Sequence, residues 1–161
     1  GGDGARDLLS AAAAGELKAL YVCGSDILRL EDADLIDRAL AKLELLIVQD
    51  LTLSPLGERA HVVLPSLSFV EKEGTFTNHA GRVQRFHKAW ESPEGQLGDG
   101  EIFSQILGRL AEAPRVYDAS AVFDEIAATH ADYAGLSYDS LGSAGVETAA
   151  APAQPGEGRA L

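Results

Sequence analysis

Few side chains in this sequence have the types and spacing that metal binding or catalysis requires. The chain has one cysteine, Cys23, and four scattered histidines, no two of which have the spacing of metal ligands on a helix. A structural zinc or an iron–sulfur cluster needs four ligands, so the sequence predicts no metal site held by this chain alone. We interpret Cys23 as a small core residue and His61 as a packed or capping residue of a strand. The alternatives are a reactive thiol and a catalytic histidine.

A glycine turn at Gly24 is a second candidate, since a glycine directly after a parallel strand lets a phosphate group approach the backbone. The surrounding sequence lacks the Gly-x-Gly-x-x-Gly pattern of dinucleotide-binding loops. Asp26 also places a carboxylate where a pyrophosphate would need hydrogen-bond donors. We therefore expect a plain turn here.

One locally basic stretch stands in an otherwise acidic chain. Its side chains are those of Arg82, Arg85 and Lys88. They either pair with Glu71 and Glu73 on a solvated surface or meet an anionic ligand or an acidic neighbouring surface, with Trp90 as an interface anchor. The chain has 25 acidic residues against 13 Lys and Arg, a net charge of −12, so we expect no binding to nucleic acid.

Hydrophobic periodicity predicts the elements that would position these residues. Helices are predicted at 6–17 and 31–43, and buried strands at 18–23, 45–48 and 61–64. The order strand, helix, strand is that of a βαβ unit, so the predicted fold class is α/β with a parallel, Rossmann-like sheet covered by helices on both faces. Such sheets bind ligands at the carboxyl ends of their strands, here at 24–26, 50–54 and 65–68.

The domain organisation is expected to have three parts. Residues 1–90 form the sheet domain, with an irregular loop or hairpin at 65–90, and 91–146 contain a linker and C-terminal helices packed on the same domain. Asp99 is expected to cap the first of these helices and Ser120 to open the second. The segment 147–161 is rich in Ala, Pro, Gly, Gln and Glu, which predicts a disordered or extended tail.

The sequence also bears on compartment. No hydrophobic run approaches the roughly 20 residues that a membrane-spanning helix needs, and the first residues do not resemble a signal peptide. A single cysteine excludes an internal disulfide, which favours an intracellular protein. The sequence contains no methionine, so we expect it to be a processed chain or a segment of a longer one.

Three segments, taken in order, carry a resemblance to a known family. They are VVLP at 62–65, EKEGTFTN at 71–78 and GRVQ at 81–84. Together they resemble the molybdopterin oxidoreductase superfamily. Within it they are most similar to the large iron–sulfur subunit of respiratory complex I, the G-type subunit of bacterial NADH-quinone oxidoreductase. Segments at 20–26, 45–53 and 123–142 look like further elements of that family, so the resemblance spans residues 17–145.

The resemblance implies a C-terminal portion of a subunit several times longer, whose cluster-binding cysteines lie near its N-terminus. It implies a structural or docking segment of an oxidoreductase that passes electrons from NADH through iron–sulfur clusters toward quinone. The segment itself would have no catalytic residue, metal or redox centre. The resemblance also implies a place in the cytoplasmic, peripheral arm of a membrane-bound complex, not inserted in the membrane. The partners would be other domains of the same subunit and other complex I subunits.

The sequence departs from the cofactor-binding members of this family at three places. Asp26-Ile27 stands where those members usually have Asn-Pro, residues 54–57 replace most of a Thr-rich segment, and Ala80 stands where an acid is frequent. Two of these changes remove or oppose donors that a negatively charged pterin dinucleotide needs, so we expect no cofactor in this segment. One alternative is an independent mononucleotide-binding domain. The stronger alternative is the molybdopterin-binding portion of a formate dehydrogenase, whose residues near the pterin would be Gly24, Asp50, Gly74, Thr75, Asn78 and Arg82.

Overall fold

The computed structural model describes residues 4–29, 32–92 and 94–149. The chain forms two compact units, divided between Ser66 and Leu67. This division differs from the expected grouping of residues 1–90, because the segment 67–90 lies in the second unit with the C-terminal helices. No helix among the described residues is long and apolar enough to cross a membrane.

The first unit is a βαβ arrangement preceded by a helix. Its helices and strands are α1 (Ala5–Ala14), β1 (Ala19–Cys23), α2 (Ala33–Lys42), β2 (Leu45–Asp50) and β3 (Val62–Pro65). The strands form a parallel sheet in the order β1-β2-β3. The predicted α/β fold with a parallel sheet is therefore confirmed, and each strand lies within about two residues of its predicted position. The prediction of helices on both faces is wrong for this unit, because α1 and α2 pack in one core against the same face.

Local sequence explains where the two helices begin and end. The carboxylate of Asp32 accepts a hydrogen bond from the Leu35 N–H at 3.0 Å, which caps α2, and Lys42 in its last turn suits the helix dipole. Helix α1 ends at Gly15, whose φ of 81° is the left-handed conformation that glycine adopts without strain. Glu31, the first residue of the predicted second helix, lies outside the described residues.

The core of the first unit lies between the two helices and one face of the sheet. Its buried side chains are those of Leu9, Ala12, Val22, Ile27, Leu35, Ile36, Ala39, Leu43, Leu46, Val48 and Leu56. Successive side chains of a strand point to opposite faces, so Leu46 and Val48 face the helices while Leu45 and Ile47 point away. Leu45 is exposed and Ile47 half-buried.

Two predictions of burial in this unit are wrong. The strand at 61–64 was expected to be buried, but Val62 and Val63 are 41% and 39% exposed because β3 is an edge strand of a three-stranded sheet. Cys23 was expected to be a core residue, but it is exposed. It is the last residue of the other edge strand, and its side chain points to the face opposite that of buried Val22.

The second unit combines a small antiparallel sheet with two helices. Its strands are β4 (Gly74–Thr77), β5 (Arg82–Phe86) and β6 (Val146–Glu147), in the order β4-β5-β6. Its helices are α3 (Asp99–Leu110) and α4 (Ala119–Thr129). The buried core consists of Val83, Ala119, Phe123, Tyr138 and Leu141. The predicted hairpin within 65–90 is therefore anchored through Val83 in a core that the C-terminal half supplies.

The helix starts in the second unit differ from the predicted ones. Helix α3 has Gly98 as its N-cap, and the Glu101 carboxylate accepts the Gly98 N–H at 2.6 Å, whereas Asp99 pairs with Lys72. Helix α4 is capped by Asp118, which accepts the Ala121 N–H at 3.0 Å, and it begins before Ser120. At each helix start a carboxylate, that of Glu101 or Asp118, accepts a backbone N–H in place of the predicted side chain, Asp99 or Ser120.

The predicted tail begins with residues that have defined partners. Glu147 belongs to β6, the Thr148 N–H donates to the carbonyl of Gly81 at 2.8 Å, and the Ala149 N–H donates to that of Asp132 at 2.9 Å. Residues 147–149 are therefore hydrogen-bonded to the second unit. The rest of the predicted tail, 150–161, lies outside the described residues.

Candidate functional site

The carboxyl ends of β1 and β2 form the first part of the predicted site. Gly24 has a φ of 58°, and its N–H donates to the carbonyl of Gln49 at 2.9 Å. The carboxylate of Asp50 accepts the Leu51 N–H at 2.7 Å, and the Asp50 carbonyl accepts the Ser66 N–H at 3.0 Å. Backbone donors at this edge are therefore used to join the ends of neighbouring strands.

Charged and polar side chains near this edge also have partners in the first unit. The Asp26 carboxylate, which stands after the glycine turn, forms an exposed ion pair with Arg29 at 3.1 Å. The Tyr21 hydroxyl donates to the side-chain oxygen of Gln49, which is fully buried. Asp26 therefore keeps its negative charge, in an exposed ion pair within its own helical turn.

His61 acts as a capping residue, as predicted. Its Nδ1 accepts a hydrogen bond from the Leu46 N–H of β2 at 2.9 Å. An accepting Nδ1 carries no proton, so this contact requires the neutral ring with its proton on Nε2. The His61 N–H in turn donates to the Leu46 carbonyl at 2.9 Å, so the residue extends the ladder between β2 and β3.

The turn between β4 and β5 contains the second part of the predicted site. The Asn78 side-chain oxygen accepts hydrogen bonds from the N–H groups of Ala80 and Arg82, each at 3.0 Å. The Asn78 N–H donates to the Arg82 carbonyl at 3.0 Å, and Gly81 supplies the left-handed conformation with a φ of 78°. Asn78 and Gly81 thus close the hairpin, which is the ordinary use of these residue types in turns.

Packing accounts for Gly74 and Thr75. A Cβ built on Gly74 would lie 3.2 Å from the ring of Phe86, its partner across the hairpin, so glycine makes room for that ring. The Phe86 ring stacks on that of Phe76, with their centroids 4.5 Å apart. Thr75 pairs with Arg85 in the same ladder. Both residues therefore have positions set by cross-strand packing.

Arg82 binds three groups near the end of the described chain. Its Nη2 lies 2.7 Å from a carboxylate oxygen of Glu147, and its Nη1 donates to the carbonyls of Ala144 and Gly145, each at 3.4 Å. Arg82 therefore pairs with an acid, as one reading of the basic stretch predicts, but with Glu147 and not with Glu71 or Glu73. These partners, however, lie in its own unit and not across an interface to another domain.

The other basic residues of the cluster also pair with acids, though not with the expected ones. Lys88 forms an ion pair with Glu91 at 2.9 Å, and Arg85 lies 3.7 Å from Asp139. Glu71 instead accepts hydrogen bonds from the Ser68 hydroxyl and N–H at 2.7 and 3.0 Å, which hold the pKa of its carboxyl below the usual value. The solvated ion-pair interpretation is right in kind and wrong about the partners Glu71 and Glu73.

The six predicted residues fall into both units. Gly24 and Asp50 lie in the first, and the hairpin brings together the other four, Gly74, Thr75, Asn78 and Arg82, in the second. Sequence reasoning missed Glu147, the partner of Arg82, because nothing in the local pattern relates two residues 65 positions apart. Among residues 4–29, 32–92 and 94–149, no group of three or more His, Cys, Asp or Glu side chains could hold a metal ion.

Comparison with known proteins identifies the relatives of the chain. The molybdopterin oxidoreductase family profile matches residues 2–109. The NADPH-Fe(3+) oxidoreductase subunit alpha of Geobacter sulfurreducens is 41% identical over 123 residues, 76% of this chain and 15% of that protein. The F420-dependent formate dehydrogenase 1 subunit alpha of Methanococcus maripaludis is 38% identical over 140 residues, 84% of this chain and 21% of the relative.

A third relative carries the name that the sequence resemblance pointed to. The NADH-quinone oxidoreductase G-type subunit 2 of Rhizobium meliloti is 36% identical over 140 residues, 86% of this chain and 16% of the relative. Formate dehydrogenases and this NADH-quinone oxidoreductase subunit thus match at similar identity, so identity does not single out either. The chain spans about a fifth or less of the length of each of these relatives.

Proposed function

Because the chain belongs to the molybdopterin oxidoreductase family, we propose that it is a structural and docking segment of the large subunit of an oxidoreductase. In this proposal the parent is the large iron–sulfur subunit of a complex I, and it passes electrons from NADH through iron–sulfur clusters toward quinone. The observation that carries the proposal is the set of internal contacts of Asn78 and Arg82. These side chains have structural roles in the hairpin and its connection to β6.

The proposal includes a fit test against a pterin dinucleotide. Its phosphates need hydrogen-bond donors or cations. The Gly24 N–H already donates to Gln49, and the guanidinium of Arg82 already binds Glu147. The carboxylates of Asp26 and Asp50 stand near the strand ends and oppose a negatively charged ligand. On these contacts the residues do not fit the group, so we assign this segment no cofactor and no redox step.

The exposed side chains of the first unit support a docking role. Leu45, Val62 and Val63 are exposed on the parallel sheet, and Leu51 and Leu53 are exposed just after β2. Large apolar side chains at a sheet edge are typical of surfaces that other protein segments cover. We assign these partners to other domains of the same subunit and to other subunits of the complex, in a cytoplasmic, peripheral arm.

A formate dehydrogenase is the second candidate, and its relatives provide the observation in its favour. Proteins with that name are 36–38% identical to this chain over most of its length. A Cβ built on Gly24 would meet no described atom within 4 Å, so the glycine turn leaves room for a ligand to approach the backbone. In this candidate the pterin lies near Gly24, Asp50, Gly74, Thr75, Asn78 and Arg82.

Metal and cofactor analysis of the purified oxidoreductase that contains this chain distinguishes the two candidates. We expect iron without stoichiometric molybdenum or pterin, measured by elemental analysis and by fluorescence of the oxidised pterin. The Arg82→Ala variant should then weaken the second unit without changing metal content. Stoichiometric molybdenum that falls in the Arg82→Ala variant would overturn the proposal and support the formate dehydrogenase candidate.

A further inference from the structure

A cavity of about 740 Å³ lies in the second unit, at the end of β5 away from the hairpin turn. Its walls come from the segment that precedes β4, the end of β5, the N-termini of α3 and α4, and the loop that follows α4. The wall includes the side chains of Arg85, Lys88, Tyr117 and Tyr138. None of the six residues of the predicted site lines this cavity.

Two buried polar atoms, in side chains that line the cavity, have no hydrogen-bond partner among the described residues. They are Nε of Arg85 and the hydroxyl oxygen of Tyr138, and the Tyr138 residue is only 5% exposed. Buried polar atoms in proteins are nearly always paired, so each exception needs an explanation. Two exceptions in adjacent side chains of one cavity wall suggest a place where a ligand supplies the missing partner.

The position of Arg85 shows which edge of its guanidinium is unused. The guanidinium carbon lies 4.0 Å from the centroid of the Tyr138 ring, a stacked cation–π contact. Its Nη1 faces Asp139 at 3.7 Å, which is too long for a direct hydrogen bond. The opposite edge, which carries Nε, is the edge whose two parallel N–H groups match the two oxygens of a carboxylate or phosphate.

Two helix N-termini add positive potential to the same cavity. Gly98, the N-cap of α3, and Gly100 in its first turn line the cavity. Ala119 and Ser120, the first two residues of α4, line it as well. The N-terminal ends of helices carry partial positive charge, although carboxylates already accept the N–H groups of Gly98 and Ala121 at these two ends. These dipoles favour an anion in a space that the buried donors of Arg85 and Tyr138 already adjoin.

Three of the acidic side chains in the cavity wall already accept hydrogen bonds from the backbone. The carboxylates of Glu71, Glu101 and Asp118 accept backbone N–H groups, and those contacts fix them in the wall. Burial raises the pKa of the Tyr117 hydroxyl, and the nearby carboxylates of Glu73, Glu101 and Asp118 raise it further, so the surroundings of that hydroxyl are negative. The Arg85 end is therefore the one that suits an anion.

We propose that this cavity binds an oxyanion, the carboxylate or phosphate group of a small ligand, through Arg85 and the Tyr138 hydroxyl. Lys88 also lines the cavity, although its ammonium group pairs with Glu91 at 2.9 Å. Both donor atoms are enclosed, so binding requires Arg85 to turn its Nε edge, and Tyr138 its hydroxyl, into the cavity. This inference is independent of the proposed structural role.

Titration of the full chain with succinate and with inorganic phosphate tests the site. The readout is the side-chain Nε–H signal of Arg85 in a ¹⁵N-edited NMR spectrum, with sodium chloride at matched ionic strength as the salt control. We expect saturable shifts with at least one anion, and the tighter of the two identifies carboxylate or phosphate as the group recognised. Shifts that never saturate, or that sodium chloride reproduces, would overturn the proposal.

Two variants separate binding from folding. Tyr138→Phe removes only a hydroxyl that has no partner in the described part of the chain, so the melting temperature without ligand should not fall, while the affinity should drop about tenfold. Tyr133→Phe is the matched control, since its hydroxyl pairs with Thr77 at 3.0 Å outside the cavity, and it should keep the affinity. Equal affinity for the anion in these two variants would overturn the assignment of Tyr138. Arg85→Lys keeps the positive charge but removes the planar pair of N–H donors, so it should also bind the anion more weakly.

Discussion

Replacing Val83 with alanine tests whether the hairpin segment is held by the core of the second unit. Val83 is 0% exposed and is the second residue of β5, where it pairs with Thr77 of β4 and Val146 of β6. The substitution deletes two methyl groups. At about 0.8 kcal/mol for each buried group, the lost transfer free energy is about 1.6 kcal/mol, and the remaining cavity raises the total to about 2–3 kcal/mol.

The assay uses the only tryptophan in the chain. Trp90 lies in the second unit, where its backbone N–H donates to the Val70 carbonyl at 2.8 Å. Its fluorescence in a urea titration therefore reports unfolding of that unit. Far-ultraviolet circular dichroism follows both units together. We expect the Val83→Ala variant to lower the urea midpoint of the fluorescence transition, with an unchanged slope.

Val122→Ala is the matched control because it makes the same chemical change on the surface of α4. Val122 is 40% exposed, and alanine has the higher helix propensity, so its free energy of unfolding should change by less than about 0.5 kcal/mol. If Val83→Ala cost no more than this control, the hairpin would not be anchored in the core. Its order would then have to come from contacts other than those of Val83.

Three further predictions concern the first unit, an acid titration and the connection to β6. Val48→Asp should destabilise the first unit by several kcal/mol more than Ile47→Asp, measured by chemical denaturation, because only Val48 faces the helices. Glu71 contributes stability above its unfolded pKa of about 4.5 that is lost as pH falls through its lower folded value. Glu71→Gln should therefore show a smaller loss of stability on acidification. Arg82→Ala should speed hydrogen exchange of the β6 amides. It should lower the free energy of unfolding by about 1 kcal/mol or less, since the ion pair is partly exposed. Unchanged exchange would contradict the assigned contact.

The elements of the first unit could be predicted because their signals are local. The apolar stripe of α2, its cap at Asp32 and the short apolar run of β2 each lie within a dozen residues. Burial was harder to predict, since the side chains of Val62 and Val63 have the same types in an edge strand and in a central strand. Their exposure depends on how many strands the sheet has, which no local pattern records.

The second unit was predicted less well because its contacts are long-range. The hairpin at 74–86 was recognised from its glycines, but its third strand comes from residues 146–147. The pairing of Arg82 with Glu147 and the stacking of Arg85 on Tyr138 join segments more than fifty positions apart. Composition indicated a tail from residue 147 onward, because a two-residue strand has too few residues to produce a periodic signal.

The family was recognised from sequence, whereas the complex I type that the sequence analysis favoured is not singled out by the relatives, which match at similar identity. The segments that carry the resemblance include the hairpin, and three of its residues have structural roles. Gly74 leaves space for the Phe86 ring, Asn78 closes the turn and Arg82 attaches β6. These contacts account for the hairpin residues without a pterin, so a subunit that has no cofactor can retain the motif. Matches to this motif therefore support the family more strongly than they support a cofactor.

Asn78→Asp separates the structural role of Asn78 from a cofactor role. Aspartate keeps the side-chain oxygen that accepts from Ala80 and Arg82, but it removes the amide N–H donors and adds a negative charge. On the structural proposal, the variant should unfold within about 1 kcal/mol of the wild type, whereas Asn78→Ala should cost more because it loses the acceptor. The metal and cofactor content of the purified oxidoreductase should be the same in the Asn78→Asp variant and the wild type. A stable Asn78→Asp variant that lost molybdenum would refute this reasoning, because only a ligand held by the amide donors would respond to their removal while the turn remains closed.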